Sequence, residues 1–345
     1  MAAYTTIDDP TAYFKCHLYT GTGSSNAQTF ADTDTDMQPD LVWIKRRDST
    51  GSHYLVDAVR GVTKVLFSNA NNETATDAQS VTAFGSDGFT VGTQANVNTS
   101  SATFVAWCWK AGTTSGLSGG SLTPDGYSIN TTSGLGIYEY TGGGSAVTIA
   151  HGLGVVPKFM MVKRSENDAQ EWRVYHATLG QTKNLVLDQN DAENTTIINW
   201  NNTAPTSSVF TVGTSLTESS KVMMAYVFAD VQGFSKFGSY TGNGNADGAF
   251  IYTGFRPAWI MVKATNTTQS WYMWDNKREG YNGDNETLVA NTTQTGGAGT
   301  YLSMLANGFK LHTADNEWNG AYNYIYMAFA EAPFVNSNGV PCNAR

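Results

Sequence analysis

Cysteine is scarce in this 345-residue chain: Cys16, Cys108 and Cys342 stand far apart. Three isolated thiols exclude a disulfide framework and carry no metal-ligand spacing. Cys16 and Cys108 are expected in the core and Cys342 in the tail. Charge is also sparse, at 14% of residues against about 25% in ordinary globular chains. The net charge is −9 and the longest basic run is Lys45-Arg46-Arg47, which disfavours a nucleic-acid channel. No stretch approaches the roughly 18 consecutive apolar residues of a membrane span. Residues Met1 to Pro10 lack a charged and apolar leader pattern, so no classical export signal is expected. No window keeps a helical period with capping signals. There is no Gly-x-Ser-x-Gly elbow, no His-Glu-x-x-His and no phosphate-cradling loop ahead of a helix. The five histidines, at 17, 53, 151, 176 and 312, have no ligand spacing. The expectation is a protein that is not an enzyme and takes no cofactor or metal.

What the chain does have is a signature written three times. Each copy opens on Tyr-Thr-Gly-x-Gly, at Tyr19, Tyr140 and Tyr240. A proline-led strand follows: Pro39-Asp-Leu-Val-Trp-Ile-Lys45, Pro157-Lys-Phe-Met-Met-Val-Lys163 and Pro257-Ala-Trp-Ile-Met-Val-Lys263. Then come Phe89, Phe210 and Phe309, each in a turn and strand, and an aromatic-rich strand around Ala106, Ala225 and Ala328. From the repeat lysine to the Phe the steps are 44, 47 and 46 residues; from Phe to Ala they are 17, 15 and 19. Differences of this size fit loops between fixed strands. A period near 100 residues is too long for a solenoid of roughly 20–50 and suits a small complete domain.

Gly numbers 35, and Thr, Ser and Asn are abundant, as tight turns between short strands require. Segments such as Thr103-Phe-Val-Ala-Trp-Cys-Trp109 are β-branched and aromatic. The predicted fold is all-β: three tandem β-sandwich domains, jelly-roll or immunoglobulin-like, at 1–112, 113–232 and 233–345. The proline-led strands are apolar at successive positions, so both faces are expected to be covered. Ala111 to Ser121 reads by composition as a flexible Gly/Ser linker opening the second unit.

The combination of Pro39 to Thr50, Val59-Arg-Gly61, Gly88-Phe-Thr-Val-Gly92 and Val105-Ala-Trp-Cys-Trp-Lys-Ala-Gly112 resembles a repeat domain of virion proteins from tailed marine bacteriophages, cyanophages among them. Tyr252-Thr-Gly-Phe-Arg-Pro257 and the ending Met327 to Pro341 share the resemblance, which runs from about Tyr13 to Arg345. It implies a structural or host-contacting virion component, such as a tail fibre or appendage. Its partners would be other virion proteins and a host-surface glycan or receptor. No heptad stretch of the long-fibre kind is present, which keeps a short appendage or a capsid decoration in view. A homo-oligomer is expected from particle symmetry, a trimer for an appendage, although three domains in one chain would also supply a threefold on their own.

Features shared by all three copies are most simply scaffold, so candidate sites are sought where the copies differ. Trp200, Trp318 and Tyr281 occur in polar loops of single copies and are the candidate ligand contacts, suited to stacking on sugar rings. Asp57, His176 and Asp275 align, 12 or 13 residues after the repeat lysines; a strand-end turn role is favoured over acid–base work. Asp32-Thr-Asp-Thr-Asp36, with Asp40 nearby, has calcium-like oxygens but no Gly turn or distal Glu, and reads as a solvated acidic loop. A glycan-degrading enzyme would need two carboxylates roughly 5–9.5 Å apart; Glu171 with Asp188 or Asp191 in the second copy is the candidate pair.

Overall fold

Three antiparallel sheets with the same strand order carry the molecule. In the first copy the order is Phe14–Thr20, Thr103–Trp109, Leu41–Arg46, Tyr54–Asp57. In the second, Leu135–Thr141, Val222–Phe228, Phe159–Arg164 and Arg173–His176 take the same places, and in the third, Ser235–Thr241, Asn323–Pro333, Phe255–Ala264 and Trp271–Asp275. A smaller sheet covers one face of each, built around Gly88–Val91, Val209–Val212 and Gly308–Leu311. The protein is thus nearly all β, in sandwich-like layers. This is a computed structural model, and it describes residues 3–30, 35–166, 168–278 and 285–342.

Strand register corrects one alignment made from the sequence. Ala106 pairs with Ile44 and Ala225 with Val162, the residue before each repeat lysine; in the third copy Val262 pairs with Tyr326. Tyr326, not Ala328, is therefore the equivalent position. Composition misled here because Ala328 is the alanine in the matching aromatic context, whereas hydrogen bonding sets the register.

The two faces of each sheet bury different things. In the first copy Val42 and Ile44 point into that copy's own sandwich core, whereas Leu41 and Trp43 point into a second core that all three copies share. In the second copy Met160 and Val162 face the sandwich, and Phe159 and Met161 the shared core. Two buried faces explain why these strands are continuously apolar rather than alternating. Phe329 sits where the copies converge. Its ring lies 5.1 Å from Phe14 of copy one and 6.0 Å from Phe228 of copy two, and 6.1 Å from Trp259 of its own copy. The three units are therefore not separate beads on a string.

The segment from Ala111 onward is also not a free linker. Ala111 N–H donates to Asp40 Oδ2 at 2.8 Å, Gly112 N–H to Ser128 Oγ at 2.8 Å and Leu117 N–H to the Tyr127 hydroxyl at 3.0 Å. Gly120 and Leu122 bridge to Ile149. The Gly/Ser composition answers to these close approaches: a Cβ on Gly120 would lie 2.7 Å from Thr148 O.

The Tyr-Thr-Gly-x-Gly signature is a turn that clasps its own sandwich. The hydroxyls of Tyr19, Tyr140 and Tyr240 donate to the carbonyls of Val97, Leu216 and Trp318. A Cβ on the first glycine of each would come within 2.4 Å of a backbone oxygen, at Thr99, Glu218 and Gly320, so only glycine fits.

Candidate functional site at the open seam

Where two copies meet, the same contacts recur three times. In the first copy His53 Nε2 lies 3.1 Å from Val289 O of the third. Trp172 Nε1 of the second copy donates to Phe67 O of the first at 2.8 Å, and Trp271 Nε1 of the third donates to Val186 O of the second at 2.8 Å. Backbone amides follow suit: Gly51 to Thr293 O, Gln170 to Asn71 O and Gln269 to Asn190 O, at 2.9, 3.0 and 2.9 Å. Copy one thus reaches three, three reaches two and two reaches one. This is a head-to-tail contact that closes after three steps, as heterologous interfaces do in cyclic oligomers.

Each seam also receives a repeat lysine. Lys45 Nζ donates to Arg46 O at 2.7 Å, Lys163 Nζ to Asn71 O at 2.7 Å and Lys263 Nζ to Ala264 O at 2.6 Å. Burial pushes each ε-amino group from 10.5 down to about 8. Between those values the unfolded chain holds protons that the folded one has shed, so stability rises as pH climbs above 8. The buried thiols of Cys16 and Cys108 are pushed above their ordinary 9.0 by burial and oppose the gain beyond pH 9. The melting temperature is expected to rise from pH 7.5 to 9, and the Lys45→Met/Lys163→Met/Lys263→Met variant to lose most of that rise. A flat wild-type profile would contradict the assignment.

Asp57, His176 and Asp275 occupy equivalent strand ends at the seams. Asp57 Oδ1 accepts from the amides of Val59 and Arg60, Asp275 Oδ1 from those of Lys277 and Arg278, and His176 Nδ1 from that of Thr178. The turn role expected from the sequence is what the geometry displays. Asp57 Oδ2 also accepts from Arg60 Nε at 2.7 Å and from the Tyr226 hydroxyl of copy two at 2.7 Å. Asp275 Oδ2 accepts from Arg278 Nε at 2.6 Å and from Trp107 Nε1 of copy one at 3.1 Å. Burial alone would raise the Asp275 carboxyl, but the Arg278 guanidinium and these bonds hold it below the ordinary value. Burial drives His176 down to about 4, so it is neutral and joins no such pair.

The seam between copies two and three consequently differs. Three residues after the strand-end group stand Arg60, Leu179 and Arg278. Arg60 narrows its seam to a recess of about 90 Å³, lined also by Lys64, Glu139 and Ser165. In the seam between copies three and one, Arg278 is fully buried and lies 4.0 Å from Glu286, which Arg47 holds at 2.8 Å. The equivalent position in the remaining seam is Leu179, and Ser239 stands where copy two has Glu139. That seam opens into a cleft of about 510 Å³ lined by Thr178, Leu179, Lys183, Glu193, Ser239, Tyr240, Thr241, Thr265, Asn323, Tyr324 and Ile325. Its size is that of a small-ligand cleft.

The cleft is polar and neutral overall. Lys183 Nζ pairs with Glu193 Oε1. Thr241 Oγ1 lies 3.2 Å from Asn323 Oδ1, which leaves the Asn323 amide hydrogens to face solvent or a ligand. Tyr240 and Tyr324 stack at 4.9 Å and 9°, and their hydroxyls donate to Trp318 O and Asn316 O, so their rings belong to the sandwich of copy three, with Tyr324 fully buried; the apolar part of the cleft wall is half-buried Leu179. Two other recesses, about 540 Å³ beside Asp40 and Lys110 and about 210 Å³ beside Lys15 and Lys277, are not set apart by a break in the repeat.

The candidate contacts chosen from the sequence fall elsewhere. Trp200 is fully buried, with its indole N–H on Lys183 O at 3.0 Å and Tyr175 edge-on at 5.6 Å. Trp318 is buried among Tyr272, Trp274 and Tyr301, at 4.9, 5.4 and 4.8 Å. Neither presents a face to a ligand; both fold back because their polar neighbours cap a turn over an apolar pocket. Tyr281 lies outside the described residues, as do Asp32 and Asp34. Asp40 faces Ala111 and Ser128 rather than the acidic loop. Glu171 pairs with Arg173 at 2.6 Å, while Asp188 takes the Trp172 amide at 2.8 Å, as Asn69 and Asn291 take those of His53 and Trp271. Asp188 is thus a repeat-shared seam residue. Among the described residues no three His, Cys, Asp or Glu side chains gather to hold a metal ion.

The cleft residues Lys183, Glu193 and Asn323 carry no motif that marks them in the sequence. The signal is Leu179 in the column of Arg60 and Arg278. It is legible only after the seam shows what those arginines fill. No curated protein and no solved structure matches the chain. A family model does match, over residues 9–333, and so spans all three copies as one unit. The chain belongs to the family described as Domain of unknown function (DUF7483).

Proposed function

We propose that this protein is a non-catalytic structural component of a virion, a short tail appendage that contacts the host surface. The observation that supports this reading is the closed threefold arrangement of copies, in which the seam of copies two and three opens into a cleft. The repeat-shared polar side chains at the signature turns and strand ends bind backbone or a neighbouring copy, as a load-carrying scaffold requires. The open seam lies between elements held rigid from both sides, the usual setting for a recognition site. The host contact is a surface glycan or protein. A single chain already supplies the threefold, so an isolated chain of 37.2 kDa is expected in light scattering, in place of a homotrimer.

Immunogold labelling of intact particles tests the reading. Label at the tail is the expected result. Label over the head would replace it with capsid decoration. Protein present in the infected lysate with no label on any particle would overturn the virion role altogether.

A further inference from the structure

We infer that the open seam between copies two and three is a binding site for an uncharged saccharide unit. Three seams are built on one plan, and two are plugged by an arginine from the same turn position. The third carries Leu179 there and His176 in place of the aspartate that would hold an arginine. Loss of both partners together removes the plug without leaving an unpaired buried charge, the outcome that a scaffold tolerates.

The chemistry of the vacated space selects the ligand class. Hydroxyl and amide groups of Thr178, Ser239, Thr241 and Asn323 surround it, and these both donate and accept, as sugar hydroxyls do. Lys183 and Glu193 neutralise one another, so neither an anion nor a cation finds an uncompensated partner. The pair still offers charge-assisted hydrogen bonds to neutral hydroxyls. Half-buried Leu179 supplies carbon surface to the C–H face of a pyranose. A cleft of about 510 Å³ has room for one or two sugar rings. This deepens the proposed host contact but stands on the seam geometry, so either is open to failure alone.

The test uses the full chain and saturation-transfer NMR with a panel of methyl glycosides and disaccharides, neutral, sialylated and sulfated. At least one neutral sugar is expected to receive saturation, with affinity near the millimolar range usual for one small neutral ligand. The variant His176→Asp/Leu179→Arg rebuilds the arrangement of the sister seams and is expected to abolish the signal while the melting temperature holds. Ser239→Glu, which copies the Glu139 of the neighbouring seam, is expected to weaken it at least fivefold. If the double variant fails to fold, Ser239→Glu alone decides. No transfer to any neutral sugar, a preference for the anionic ones, or undiminished transfer in the folded variants would overturn the inference. Sugar binding by a protein that labels no particle would retain this site and refute the virion role; tail labelling without sugar binding would do the reverse.

Discussion

Trp259→Ala is expected to destabilise the whole molecule by about 3–5 kcal/mol, the range for removing a fully buried large aromatic. Trp259 belongs to the proline-led strand of the third copy, yet its ring meets Trp43, Trp107 and Trp109 of the first at 6.4, 6.1 and 5.8 Å. Truncation therefore opens a cavity in the shared core and loosens the junction of copies one and three, rather than melting the third unit by itself. Urea unfolding followed by tryptophan fluorescence measures it. The expected trace is one transition at lower urea; a new early transition involving only part of the signal would place Trp259 in a separate third domain.

Asp275→Ala carries the second large effect, about 3–5 kcal/mol, because it strands a buried cation. Arg278 and Asp275 both have fully buried side chains, and Trp107 Nε1 loses its acceptor in the same step. Asp275→Ala/Arg278→Ala is expected to cost less than Asp275→Ala alone, since no unpaired charge remains. The seam between copies two and three is the natural precedent, with His176 and Leu179 in the two places. A double-mutant cycle measured by thermal unfolding gives the coupling; equal or greater loss in the double variant would show that the pair does not act as a unit.

Much of this architecture was legible from residues alone. The threefold signature, the strand character and the double burial of Leu41 to Ile44 follow from pattern and composition. The strand-end role of Asp57, His176 and Asp275 follows from their alignment. What was not legible is what the second buried face packs against. Apolar runs report that a face is covered, not by which element, and the shared core is made of contacts more than a hundred residues apart in the chain, such as Phe14 with Phe329. The same limit explains the misplaced site. Trp200 and Trp318 sit among Asn, Asp and Glu and so look exposed, but a turn exposes its polar backbone side while its one large ring turns inward. The cleft, by contrast, is defined by a missing side chain, and a missing arginine becomes informative only once its sisters are seen filling the equivalent space.

Three copies make one closed ring around a common core. Differential scanning calorimetry of the intact chain tests this most directly. A single transition, with the calorimetric enthalpy equal to the van't Hoff enthalpy for the whole chain, is the predicted result. Two or three resolved transitions, each with the enthalpy of about 100 residues, would mean that the copies fold as independent domains and would contradict it.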